Sequence, residues 1–177
     1  PPRSTLFPYT TLFRSDLFRH LDWVSVIKYR KSHKIAFSTR DVDSQLIQQA
    51  IDYATQAPNA HNTQSWRFIQ IQKGSKRELL ANAMVDAWKE DLQQTGVSES
   101  EIQKRTADSI LRFTNAPVLL VICYDKAALQ TYSINHQQLK EEQLAIQSTA
   151  AAITTLLFAF EDRKSTRLNS SHRIRYR

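Results

Sequence analysis

Two glycines in 177 residues, Gly74 and Gly96, set the hardest limit on what this chain can build. A P-loop, or the first turn of a dinucleotide-binding strand–helix unit, needs several glycines close together so that backbone can approach a phosphate. A strained serine elbow needs glycine on both sides of its nucleophile. Neither can be assembled here. An anionic ligand must therefore be gripped by side-chain cations, and the site is sought where cations and neutral hydrogen-bonding groups concentrate.

Net charge alone misdirects that search. A formal +7 suggests a binder of nucleic acid or of a membrane surface, yet residues 16–161 hold 16 basic and 16 acidic side chains. The excess lies in residues 1–15 and 162–177. Thr5–Ser15 and Asp162–His172 resemble the translated strands of a sequencing-library adapter. Both ends are read as assembly artefacts, expected to be disordered, and are left out of fold reasoning as a tag would be. Residues 16–161 suffice for one domain. The single cysteine, Cys123, rules out a disulfide framework or a cysteine metal site and is expected to be buried as a small hydrophobe. No His, Asp or Glu spacing matches a metal site. No apolar run reaches membrane-spanning length and no signal peptide is visible from residue 16 onward, so the expectation is a cytoplasmic protein without membrane or nucleic-acid partners.

Periodicity predicts alternating helices and strands. Residues 17–31 read as a helix with Phe18, Leu21, Val24 and Ile27 on one face. A second helix spans 44–57, capped by Asp43 or Ser44, with the stripe Leu46, Ile47, Ala50, Ile51 and Ala54, and Pro58 stops it. Residues 66–72 alternate like a strand, with Ile69 and Ile71 as its apolar positions. A helix over 76–93 is predicted to bury Leu79, Leu80, Ala83, Met84, Ala87 and Trp88. Ser98 to Glu101 has capping-box spacing and opens a helix to about Phe113. Residues 117–124 read as a central strand covered on both faces. Residues 137–160 form a long helix, apolar nearly all round from Leu144, which suits a subunit interface.

Two segments carry candidate chemistry. In Arg30-Lys31-Ser32-His33-Lys34, an extended backbone would point Arg30, Ser32 and Lys34 the same way, offering an anion a guanidinium fork, a hydroxyl and an ammonium. A solvated charge run explains the same residues. In Pro58-Asn59-Ala60-His61-Asn62-Thr63-Gln64-Ser65-Trp66, the amides match the alternating carbonyl and N–H edge of a flavin ring. Helix-terminating turn chemistry explains these too. Trp66 reads as core and His61 as a turn residue.

Together, in this order, the two segments resemble the FMN-dependent nitroreductase family. Arg30 to Lys34, followed by Phe37, is similar to the family's Arg-Arg-Ser-x-Arg segment with its following Phe. Ala57 to Phe68 is similar to Ala-Pro-Ser-x-x-Asn-x-Gln-Pro-Trp-x-Phe, with Asn59 for Ser and Ser65 for Pro. Ala116 to Val121 resembles the start of the family's central strand, and Gln147 to Ile153 its core helix. The resemblance is closest to the reductase domain fused to the γ-glutamyl ligase of deazaflavin-coenzyme biosynthesis and to stand-alone relatives of that domain.

The resemblance implies an α+β nitroreductase-like fold, with a central mixed sheet flanked by helices, in an intertwined homodimer. It implies FMN as cofactor, NAD(P)H as electron donor, and ping-pong hydride transfer to a small organic acceptor with no catalytic side chain. By the same likeness Arg30 holds the FMN phosphate with Ser32 assisting, and Lys34 reaches the ribityl or pyrimidine edge. Asn59 and Ala60 line the flavin from the partner subunit, Asn62 bonds to the ring, and Gln147 or Ser148 approaches from the core helix. Lys31 and Pro58 complete the set. Relatives continue beyond the core helix into a Gly-Leu-Gly turn, further strands and phosphate-binding basic residues. The present stretch alone is therefore expected to bind FMN poorly and to lack activity. Two other classes fit parts of the chain: a flavin-binding protein without turnover, and a basic nucleic-acid binder supported by the ends alone.

Overall fold

The computed structural model describes residues 23–30, 32 and 41–162. Phe18, Leu21, Lys31, Lys34, Phe37 and the adapter-like ends, apart from Asp162, lie outside them. Seven main elements follow in order: α1 (Trp23–Tyr29), α2 (Ser44–Ala54), β1 (Trp66–Gln70), α3 (Ser75–Gln94), α4 (Glu99–Asn115), β2 (Leu120–Tyr124) and α5 (Asn135–Asp162). A single 3-10 turn, Ala60–Asn62, precedes β1, and another, Lys126–Ala128, follows β2.

The core is built where α2 and the sheet meet α5. Ala50 and Ala54 of α2 pack with Leu156, Ala159 and Phe160 of α5, and Ile51, Phe68, Leu120 and Ile122 close around them. These α2 positions are the stripe anticipated from the sequence, and Asp43 caps the helix by accepting the Gln45 N–H at 2.9 Å. Small residues let the two helices approach closely, so a side chain larger than Ala at position 50 or 54 would have to displace α5.

β1 and β2 pair antiparallel, Trp66 opposite Tyr124 and Gln70 opposite Leu120. The Asp125 N–H donates to Ser65 O at 2.8 Å and the Ile71 N–H to Leu119 O at 2.9 Å, so the ladder runs one step beyond each end. Among the described residues this pair is the whole sheet, rather than the mixed sheet with a central strand expected from the sequence. Since strand side chains alternate, Trp66, Phe68 and Ile122 turn inward while Arg67, Ile69 and Cys123 turn outward. Ile69 is 46% exposed and Cys123 is exposed. Both were expected inside, and both are out because no described element covers that face.

α3 and α4 form a helical hairpin between the two strands. Gly96, at φ 73°, ends α3 in the left-handed region: Val97 N–H donates to Leu92 O and Gly96 N–H to Gln93 O, the bond pair of a Schellman stop. Ser98 then caps α4 by accepting the Glu101 N–H. The buried seam of α3 is Arg77, Ala81, Val85 and Leu92, not the leucine-rich stripe anticipated, and Leu79 is 73% exposed. Arg77 is only 1% exposed. Its guanidinium donates to Ala116 O and to Ile71 O, tying the exit of β1, the first turn of α3 and the end of α4 together. Burial pushes its pKa down from the ordinary guanidinium value.

α1 packs on α5, with the Trp23 and Phe158 rings edge to face at 5.3 Å. Its buried residue is Val26, whereas Val24 and Ile27 of the anticipated face are 68% and 49% exposed. α5 is also long and apolar enough to cross a membrane by length and composition, contrary to the expectation that no segment was. Here its Ala145, Ala152, Leu156, Ala159 and Phe160 are core.

Candidate functional site

The segment between α2 and β1 lies along α5 and makes three successive contacts with it. Ala57 packs with Ala152 and Trp66 in a small apolar cluster. The Ala60 N–H donates to Ser148 Oγ at 3.1 Å, 88 positions away in sequence. His61 Nε2 then stands 3.6 Å from Glu141 Oε2. Position 152 is one turn from 148, and 148 two turns from 141, so all three contacts fall on one helix face.

Local chemistry shapes this loop. Asn59 Oδ1 accepts the Gln64 N–H at 2.9 Å, closing the loop like an internal cap. The Thr63 hydroxyl donates to Ala60 O at 2.9 Å. Within the closed loop His61, Asn62 and Gln64 all take left-handed backbone, at φ 55°, 52° and 47°. Such conformations are uncommon outside glycine, and adopting three of them costs on the order of a few kcal/mol that the surrounding contacts must offset. The Ser148 hydroxyl is oriented for its part: its proton goes to Leu144 O at 2.7 Å, which turns a lone pair toward Ala60. The neighbouring Thr149 Oγ1 is buried with no hydrogen-bond partner among the described residues.

The anticipated site residues therefore divide. Asn59 spends its side-chain oxygen on the loop itself, whereas Ala60 gives its N–H to Ser148 and its carbonyl to Thr63. Asn62 and Gln147 are exposed; Asn62 makes one long amide contact, Gln64 Nε2 to its Oδ1 at 3.4 Å. Ser148 is buried and joins loop to helix, and Pro58 is exposed at the loop's start. Arg30 is half-buried just past α1, and Ser32 is exposed. Among the described residues, no hydrogen bond or ion pair joins Arg30 or Ser32 to the 59–64 loop; Lys31 and Lys34 lie outside the described residues. At the loop's base, Arg67 pairs with Asp125 at 2.9 Å, an exposed contact that contributes under about 1 kcal/mol.

Glu141 was missed from sequence. The signal was present in the spacing: it lies seven positions before Ser148 and four before the buried Ala145, hence on the same face. Among the described residues no group of three or more His, Cys, Asp or Glu is placed to hold a metal ion.

Residues 27–164 match the sequence model of the nitroreductase family. Solved structures share the fold at low identity. A nitroreductase-like protein from Bacillus cereus superposes with a TM-score of 0.54 at 23% identity, over 79% of this chain and 64% of that one. A BluB-like flavoprotein from Clostridium difficile 630 gives 0.57 at 20% identity, over 78% and 69%. A protein from Desulfovibrio desulfuricans, described as a nitroreductase in complex with FMN, gives 0.52 at 18% identity, over 77% and 60%. The chain thus spans under two thirds of the length of the first and the third.

Proposed function

We propose that this chain, which belongs to the nitroreductase family, is the flavin-holding portion of an FMN-dependent oxidoreductase that passes hydride from NAD(P)H to a small organic acceptor in two half-reactions. The observation that carries the reading is the junction of Ala60 with Ser148. It joins the two sequence segments that the family resemblance assigns to the flavin ring, although 88 positions separate them.

The residues present fit FMN in donor chemistry. A half-buried guanidinium at Arg30 and a hydroxyl at Ser32 suit a phosphate. Exposed carboxamides at Asn62, Gln64 and Gln147 suit a ring edge that both donates and accepts. Asn59, Ala60 and Ser148 act behind them, fixing the backbone from which the amides project. Lys34 is assigned by resemblance to the ribityl or pyrimidine edge, where a cation stabilises added negative charge, and Lys31 belongs to the same cofactor-binding set. When bound, FMN supplies the two-electron chemistry, and the protein binds and orients.

A homodimer belongs to the same proposal, with the cationic segment of one copy serving the amide loop of the other. Exposed apolar side chains on α1 (Trp23, Val24, Ile27) and on α5 (Leu139, Leu144, Ile146) support it. The likeness to the ligase-fused reductase domain of deazaflavin-coenzyme biosynthesis makes a dehydro-deazaflavin the first acceptor to try, before quinones and nitroaromatics.

The test is a fluorescence titration of FMN with the chain. We expect weak saturable quenching, with Arg30→Ala costing one charge-assisted contact, about 1.5–3 kcal/mol or at least tenfold in affinity. A folded chain that leaves FMN fluorescence untouched, or affinity indifferent to both Arg30→Ala and Asn62→Ala, overturns the proposal.

A further inference from the structure

We infer that His61 and Glu141 are a positioning pair: the buried carboxylate holds the imidazole against α5, and this fixes the left-handed turn that presents Asn62 to the flavin. The inference rests on the FMN reading above and deepens it. Glu141 is 3% exposed. A carboxylate that far from water is unfavourable unless a partner compensates it. Among the described residues His61 is the basic group within 4 Å of it. The next acidic residue, Glu142, is engaged elsewhere, accepting from Lys126 Nζ at 3.1 Å.

The backbone supplies the second argument. His61 takes φ 55°, ψ 14°, and Asn62 follows at φ 52°. Conformations of this kind persist where surrounding contacts over-determine them. Two tethers do so here: Ser148 holds the N–H of Ala60, and Glu141, two turns earlier on the same face of α5, holds the next side chain. With residues 60 and 61 drawn onto the helix, the chain turns outward at Asn62, which is exposed. His61 is itself 46% exposed at its side chain, so replacing it does not disturb the core.

Two readouts, one needing no flavin, separate this inference from the reading beneath it. His61→Asn keeps a residue tolerant of left-handed backbone but removes the imidazole. Glu141→Gln keeps the shape but removes the charge. For the wild type, both single variants and the double variant, amide hydrogen exchange is measured without FMN, and FMN affinity by fluorescence titration. Each single change should speed exchange at the Ala60 and Thr63 amides about tenfold and weaken FMN about tenfold, leaving α3 and α4 unaltered, while the double variant is no worse than His61→Asn, because a coupled pair is lost only once. Unchanged exchange in both single variants overturns the inference. So does faster exchange with unaltered FMN affinity, or losses that simply add in the double variant. A wild-type chain that binds no FMN refutes the flavin reading, and with it the affinity role; the exchange data then still decide whether the pair holds the loop.

Discussion

Replacing Arg77 should destabilise the fold more than any surface change, by an amount that its surroundings allow to be divided. The guanidinium donates to two backbone carbonyls, Ala116 O and Ile71 O, while its Nε is buried without a partner among the described residues. Charge-assisted bonds contribute about 1.5–3 kcal/mol each, and an orphaned buried carbonyl costs about 1–3 kcal/mol. Against this, removing a buried cation recovers several kcal/mol of desolvation. Arg77→Met, which keeps the stem, should therefore cost about 1–3 kcal/mol net. Arg77→Ala also forfeits the two buried stem methylenes beyond Cβ at ~0.8 kcal/mol each and should cost about 1.6 kcal/mol more than Met. Urea unfolding of both variants, at unchanged m-value, reads the two quantities separately. A loss below about 0.5 kcal/mol for Arg77→Met would show that desolvation cancels both bonds, and that Arg77 is not the staple described here.

Ser148→Ala removes the acceptor for the Ala60 N–H; it should speed exchange of that amide by about tenfold, equivalent to roughly 1.4 kcal/mol, with little change in global unfolding. Glu101→Gln tests an exposed pair. Arg105, by hydrogen bond and charge, holds the Glu101 carboxyl below its usual range. A depressed carboxylate adds stability above its unfolded pKa of about 4.3 and loses it as pH falls through the folded value, so the variant should flatten the acid limb of the stability curve, and an identical acid limb would discount the pair. Sedimentation should show the chain self-associating, and Ile146→Glu, which charges an exposed apolar position on α5, should reduce that association; a monomer at all concentrations contradicts the dimer proposal.

How much of this was legible depended on whether polarity and packing told the same story. In α2 they agreed, because Ala50 and Ala54 are apolar and also pack on α5. In α3 they disagreed. The buried seam begins with an arginine whose carbonyl partners lie 6 and 39 positions away, while Leu79 points to water, so no window of hydropathy could select the right face. α1 misled for a related reason: Val26 is buried while Val24 and Ile27 are exposed, and a seven-residue helix carries too few turns to declare a stripe. In β1 and β2 the apolar run was read correctly as strand, but the outward side of Ile69 and Cys123 depends on what lies over the sheet, which local sequence does not state. At the candidate site, the family resemblance singled out the loop and Ser148 separately, with Asn59 and Ala60 reaching the flavin from the partner subunit, so the bond of Ala60 to Ser148 within one chain was not anticipated. The left-handed backbone at His61 and Gln64 was not anticipated either, since composition assigns that conformation to glycine, and this loop has none. Glu141 was hidden because a lone glutamate on a helix reads as solvated until its partner is seen.

The central claim is that exposed carboxamides beside α5 read the head of FMN while the cations after α1 hold its tail. The most direct measurement is a residue-resolved NMR titration of the chain with FMN. We expect the backbone and amide resonances of Arg30, Ser32, Asn62, Gln64 and Gln147 to move together along one saturating curve. Shifts concentrated instead on the outward sheet face, at Arg67, Ile69 and Cys123, with the loop and α5 silent, would contradict it.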